Sequence, residues 1–301
     1  MFRSKDRVEV KTPEQVELMR AAGLVVGGAL ELLRGRLEPG VTTGELDALA
    51  EAYIRDHDGV PSFLGYPYTG EDDFPATICA SVNEEIVHGI PGPRVLREGD
   101  LVSIDCGAIV AGWHGDAAFT AAVGEVPADQ LELLAATEDA LWAGLAAAQV
   151  GGRLYDISAA VERTLRSRGS FGIVEEYVGH GIGTQMHMDP QVPNVVTPGR
   201  SERLVAGMAL AVEPMATMGR RQTRLLADHW TVVTADGSRA AHFEHTVALT
   251  DAGPWVLTAL DGGAARLAAL GVATPAGAPP GATDGTPAGS AAGFPAPPSV
   301  P

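Results

Sequence analysis

The spacing of apolar and polar residues predicts helices in pairs interleaved with strands. Thr12-Pro13-Glu14-Gln15 carries a helix-start signature, with Thr12 as the cap, Pro13 at the first helical position and Gln15 closing a capping box. Apolar residues recur at helical spacing through Leu18, Met19, Ala22, Val26, Leu30 and Leu33, and Gly35 ends the pattern. After the Pro39-Gly40 turn, Thr43 precedes a second helical pattern with Leu46, Leu49, Ala50, Tyr53 and Ile54 on one side. Residues 78–82 read as a strand, and 101–110 as an apolar strand holding one acid, Asp105. Ala111-Gly112 is a turn, and 113–123 returns as a second strand. Helical patterns follow at 127–149 and 155–169, with strand-like segments near 176–178, 208–213, 230–234 and 243–249. This mixture predicts an α+β fold with helices on one face of a curved sheet.

The pattern fails after Asp261. Residues 262–301 are built of Ala, Gly, Pro, Ser and Thr with few large apolar side chains. Such a stretch buries too little surface to offset its ordering entropy. The expectation is therefore a folded domain over 1–261 and a disordered tail over 262–301.

With 301 residues, of which 46% are hydrophobic, the chain is long enough for one large domain or two modest ones. No apolar run approaches the ~20 residues that span a bilayer. The first fifteen residues hold no apolar signal core, so a cytoplasmic location without membrane partners is expected. A formal net charge of -17 argues against general attraction to nucleic-acid phosphate, and is compatible with holding cations. Two cysteines, Cys79 and Cys106, with no CxxC exclude a disulfide framework and a thiolate zinc site; both are expected to be small buried hydrophobes.

Candidate chemistry begins with Asp105 and Asp116, each in a strand-like run where Asp is depleted. The turn between the strands brings them near one another, and two close carboxylates repel unless a cation lies between them. Next come Gly179-His180-Gly181-Ile182-Gly183 and Met186-His187-Met188-Asp189-Pro190. On a single strand, His180 and His187 would face opposite ways, one toward metal and the other toward substrate. Glu213 and Glu244 are each a lone carboxylate in an apolar, strand-like setting. Together two Asp, one His and two Glu suit two divalent ions held by bridging carboxylates, such as Mn, Fe, Co or Zn, as in two-metal hydrolases. HExxH and GxSxG are absent, which removes support for a zincin or a serine hydrolase.

Over roughly residues 10–257 these motifs resemble the type I methionine aminopeptidases, of the pita-bread (creatinase/aminopeptidase) fold. The resemblance is carried by Ser81-Val82-Asn83-Glu84 with His88-Gly89-Ile90-Pro91, by Asp105 with His114-Gly115-Asp116, by Gly179-His180-Gly181-Ile182-Gly183 with His187, by Val212-Glu213-Pro214 and by Phe243-Glu244-His245-Thr246, all in order. It implies a curved antiparallel sheet with helices on its outer face, and a catalytic domain over 1–261. It implies removal of the initiator methionine from nascent chains whose second residue is small, by attack of a hydroxide bridging two ions. Asp105, Asp116, His180, Glu213 and Glu244 fall on the family's metal-ligand positions, Asp116 and Glu244 as bridges. His187 and His88 fall on its substrate-contacting histidines, and Glu213 on its proton shuttle. Tyr66, Trp230 and Phe74 resemble the wall of the methionine pocket, with Met186 where the family usually has Phe and Phe63 where many members have a small residue. The 66–74 loop is longer than usual. The partners expected are nascent polypeptide N-termini at the ribosome, with no nucleic acid bound directly, and the protein is expected to be a monomer.

Prolidases and creatinases share this fold, but carry a large extra N-terminal domain, whereas here the match begins within about ten residues of Met1. Type II methionine aminopeptidases carry a helical insertion for which residues 219–230 leave no room. Non-catalytic relatives that act as binding proteins lose metal ligands, and this sequence keeps all five positions.

Overall fold

The computed structural model describes residues 8–67 and 72–275. Five helices are formed: α1 (Pro13–Arg34), α2 (Thr43–Asp56), α3 (Ala128–Ala147), α4 (Leu154–Arg168) and α5 (Ala264–Ala269). The strands up to the first long hairpin are β1 (Val60–Pro61), β2 (Ile78–Val82), β3 (Glu85–Val87), β4 (Asp100–Val110) and β5 (Trp113–Val123). Then come β6 (Gly172–Ile173), β7 (Gly179–Gly181), β8 (Met188–Val192), β9 (Ala209–Val212) and β10 (Met215–Thr217). The last are β11 (Thr223–Leu225), β12 (Val232–Thr234), β13 (Ala240–His242), β14 (Glu244–Thr250) and β15 (Gly253–Val256).

Nine of these strands make one curved antiparallel sheet, in the order β1-β4-β5-β14-β9-β7-β8, with β2 beside β4 and β15 beside β14. Two three-stranded sheets, β13-β10-β6 and β11-β12-β3, complete the fold. Helix α1 starts as the sequence predicts, with its Thr12/Gln15 capping box; α2 is capped one residue earlier than expected, by Thr42 with Glu45 closing the box, so that Thr43 is its first residue. Helix α1 lies across β4 and β5, and α3 pairs with α4. Backbone approaches backbone where α1 crosses the sheet: a Cβ on Gly23 would come within 2.2 Å of the Leu257 carbonyl oxygen, so no other residue fits. The core between helices and sheet is aliphatic, built around side chains such as Leu33, Leu46, Ile104, Leu133 and Leu145. Cys79 and Cys106 are buried free thiols.

The β4–β5 hairpin is the spine of the molecule. Its two-residue turn, Ala111-Gly112, has positive φ at both positions (50° and 82°), the conformation that matches the twist of paired strands. The register places Gly107 opposite Asp116 and Asp105 opposite Ala118, so both aspartates point from the same face, one diagonal step apart.

Two expectations need correction. The 176–178 segment is not a strand: it is the irregular link between β6 and β7, which lie in different sheets. The presumed tail does not begin at 262. Leu267 of α5 is fully buried and Val272 packs on the main core, because Ala264–Ala269, although rich in Ala, presents one large apolar side chain inward. Arg20 of α1 ties down the approach to this helix by donating to the carbonyls of Leu257, Ala259 and Leu260 at 2.6, 2.6 and 2.8 Å. The remainder of the expected tail, 276–301, lies outside the described residues, as do 68–71 of the 66–74 loop. No helix among the described residues is long and apolar enough to cross a membrane.

Candidate active site

A cleft of about 390 Å³ opens beside the sheet, lined among others by Asp105, Asp116, His180, His187, Glu213, Glu244, His88, Tyr66 and Trp230. Every metal and histidine position singled out in the sequence therefore reaches one cavity. Asp105 comes from β4, Asp116 from β5, His180 from β7, Glu244 from the start of β14, and Glu213 from the residue after β9. These strands are neighbours in the sheet, His180 standing opposite Ala211 and Glu244 opposite Ala118. Glycines flank His180 because the sheet closes on it there: a Cβ on Gly179 or Gly181 would meet the Ala211 or Asp189 carbonyl oxygen at 2.3 or 2.2 Å.

The cleft gathers more negative charge than a buried site tolerates unaided. Burial, then repulsion among the acids, raises the pKa of Asp116, Glu213 and Glu244 well above the ordinary carboxylate range. Asp105 is pushed up to about 7, mainly by burial and against a hydrogen bond shared with Asp116. Asp105 Oδ1, Asp116 Oδ1 and Glu244 Oε1 are buried and accept no hydrogen bond. Orphaned buried oxygens of this kind are costly unless a water or a cation completes them. His180 supplies the complementary nitrogen. Its Nδ1 lies 2.9 Å from the Gly181 carbonyl oxygen, which can only accept, so Nδ1 carries the proton and the Nε2 lone pair is free. That Nε2 faces Asp116 Oδ2 at 3.8 Å and Glu213 Oε1 at 3.6 Å. Burial, followed by the neighbouring His187, lowers the His180 pKa to about 3, so the ring is neutral, as a ligand must be. Asp116, His180 and Glu244 bring three ligand atoms within 4.8 Å of one another, and the donor set fits a divalent cation.

His187 departs from the geometry expected of it. It does not share a strand with His180: it stands just before β8, across the turn from β7, and the two rings lie 4.4 Å apart. The hairpin between them, not strand alternation, sets their relation. Tyr66 Oη lies 2.6 Å from His187 Nδ1, with the rings edge to face. Partial desolvation lowers the His187 pKa. His88 sits in the left-handed region, with φ 59°, an uncommon backbone for a non-glycine residue. Its ring is set edge-on to Tyr177 and Trp230, and burial lowers its pKa to about 4.

The apolar wall consists of Phe63, Phe74 and Trp230, packed edge to face at centroid distances of 6.5 and 5.1 Å. Met186 is not in the wall. It is buried, only 2% exposed, in one apolar cluster with Phe63, and both side chains approach the Gly107 backbone. Tyr177 and His242 also line the cleft, although no spacing in the sequence marks either. Tyr177 lies in an irregular link that carries no periodic signal. His242 was visible only as a neighbour of Glu244.

Fold and cleft together define a metal-dependent hydrolase. The profile of metallopeptidase family M24 matches residues 17–251. Methionine aminopeptidase 1 of Mycobacterium tuberculosis is 51% identical over 263 residues, covering 85% of this chain and 97% of the relative. Methionine aminopeptidase of Clostridium acetobutylicum is 48% identical over 250 residues, covering 83% and 98%. The crystal structure of the Thermotoga maritima methionine aminopeptidase superposes with a TM-score of 0.80 at 40% identity, over 84% of this chain and all of that one. A prolidase from Pyrococcus furiosus, at 21% identity and a TM-score of 0.66, shares the fold alone. The chain belongs to metallopeptidase family M24, and within it to the methionine aminopeptidases.

Proposed function

We propose that the protein removes the initiator methionine from nascent polypeptides whose second residue is small, using two divalent ions, Co, Mn, Fe or Zn, held by Asp105, Asp116, His180, Glu213 and Glu244. The observation that carries this reading is the convergence of those five side chains, from neighbouring strands, in one buried cleft beside an aromatic wall. When bound, the ions supply Lewis acidity toward the scissile carbonyl and lower the pKa of water. The chain's own groups do the rest. Phe63, Phe74, Tyr66 and Trp230 take the methionine side chain, a thioether among aromatic rings. His187 acts through Nε2: with Nδ1 accepting from the Tyr66 hydroxyl, Nε2 carries the proton and donates to the carbonyl oxygen as charge develops there. Glu213 takes a proton from the attacking water and passes it to the leaving amine. His88, held by its strained backbone, contacts the peptide next to the scissile bond. The proposal includes a cytoplasmic monomer that meets its substrates at the ribosome.

The test is the initial rate on a Met-X-Ser panel with saturating Mn or Co. Met-Ala, Met-Gly and Met-Ser peptides should be cleaved, and Met-Lys, Met-Leu and Met-Phe poorly. A misfit at the second residue displaces the carbonyl, and such misplacement costs about a hundredfold. Equal rates for Ala and Phe at the second position would instead indicate a broad aminopeptidase.

A further inference from the structure

His242 lies outside the five carboxylate and histidine positions above, yet its setting is that of a working residue. It is the last residue of β13 and is only 1% exposed. Its backbone is clamped: the His242 N–H donates to Thr120 Oγ1 and the Thr120 hydroxyl donates back to the His242 carbonyl, both at 2.8 Å. The ring lines the cleft. There both ring nitrogens are buried without a hydrogen-bond partner. A neutral imidazole carries one N–H, on Nδ1 or on Nε2.

The direction of that N–H follows from what surrounds it. Nε2 lies 3.9 Å from Glu213 Oε2 and 3.7 Å from Glu244 Oε2. As ligands of a cation both carboxylates are ionised and can only accept, so the proton belongs on Nε2. Glu213 is thereby flanked on its two oxygens by different histidines, His180 on Oε1 and His242 on Oε2. Both His242 separations exceed a hydrogen bond, and about 1 Å of side-chain movement closes the longer one. Glu213, His242 and Glu244 also place three ligand atoms within 4.8 Å of one another, so direct ligation is the competing role. The division of Glu213 favours donation: Oε1 is the oxygen 3.6 Å from His180 Nε2, while Oε2 is the one beside His242.

We propose that His242 is a positioning residue of the metal centre, donating its Nε2–H to Glu213 Oε2 and so holding Glu213 to a single ligating oxygen. This rests on the two-ion reading above. Its consequence is tighter metal binding and a fixed Oε1, without a further nitrogen on the ions. Partners of this kind typically change metal affinity by 10–100-fold.

The experiment uses the full chain stripped of metal and titrated calorimetrically with Mn(II), comparing wild type, His242→Leu and His242→Gln. His242→Leu fills the space without a donor and should weaken binding tenfold or more. His242→Gln keeps an N–H at similar reach and should restore affinity to within about threefold of wild type. Unchanged affinity in His242→Leu, with wild type binding normally, overturns the proposal alone. A wild type that binds no ion overturns the two-ion reading and this inference with it. Histidine-labelled ¹⁵N NMR of the Zn(II)-loaded wild type gives an answer that does not depend on a variant folding. The expected result is an Nε2–H tautomer for His242. An Nδ1–H tautomer with Nε2 bound to zinc would make His242 a ligand and overturn the assignment.

Discussion

Tyr66→Phe isolates one hydrogen bond at the reaction centre. The Tyr66 hydroxyl lies 2.6 Å from His187 Nδ1, while the two rings pack edge to face at 5.2 Å. Removing the hydroxyl leaves the ring, its packing and the pocket wall in place. What is lost is the constraint that keeps the His187 proton on Nε2. A single neutral hydrogen bond is worth about 1–1.5 kcal/mol net, so kcat should fall about five- to twelvefold with KM and metal content nearly unchanged. His187→Ala should cost a hundredfold or more, on the order of 3 kcal/mol, with metal still bound, since it removes the donor itself. In that background Tyr66→Phe should cost almost nothing, giving a coupling energy of about 1 kcal/mol or more in the double-mutant cycle. The assay is steady-state release of methionine from Met-Ala-Ser, with metal content measured on each variant. Equal losses in the two backgrounds would refute the role of Tyr66 through His187. Metal lost together with activity in His187→Ala would make His187 a ligand.

Two further outcomes follow from burial. Leu267 is fully buried, so Leu267→Ala should cost about 2–5 kcal/mol in denaturant unfolding, and truncation after Asp261 at least as much; an unchanged midpoint would show that α5 does not dock. The acids of the cleft make the metal-stripped protein pH-sensitive. Asp105 has a folded pKa of about 7 against an unfolded value of about 4, so its protonated form favours the fold. The stability contributed by Asp105 in the stripped protein is thus fullest below about pH 4 and is lost as pH rises toward 7, while added divalent ion restores stability at neutral pH and releases protons. A thermal midpoint for stripped protein that rises over that window would contradict this origin of the shift.

The sequence was most readable where a local rule is strong. The capping box of α1, the strand over Trp113–Val123 and the Ala111-Gly112 turn all lie where spacing places them, because each depends on residues within a few positions. The acids of the cleft could be named because a carboxylate inside an apolar strand is costly unless a cation or a hydrogen-bond partner offsets its charge. Short strands escaped notice: β10 and β13 have three residues each, too few for alternation to emerge. The relation of His180 to His187 depended on a hairpin that no periodicity reveals. The resemblance puts Met186 in the pocket, at a position where the family usually has Phe, but its depth is set by tertiary packing that sequence does not show, and it is buried beside Phe63. The structured part of the expected tail was hidden for the opposite reason: α5 is mostly alanine and turns on a single leucine. His242 illustrates the same limit, since its importance lies in two unpartnered nitrogens and not in any spacing.

The proposed mechanism stands on divalent ions held among Asp105, Asp116, His180, Glu213 and Glu244. The most direct measurement is methionine release from Met-Ala-Ser by the full chain, stripped with chelator and titrated with Mn(II) or Co(II) while bound metal is counted. The predicted result is no release from stripped protein, a rate that saturates as two ions bind per chain, and a folded Asp116→Ala variant below about a tenth of the wild-type rate, roughly 1.4 kcal/mol of barrier. Undiminished release in excess chelator, or wild-type turnover by Asp116→Ala, would contradict it.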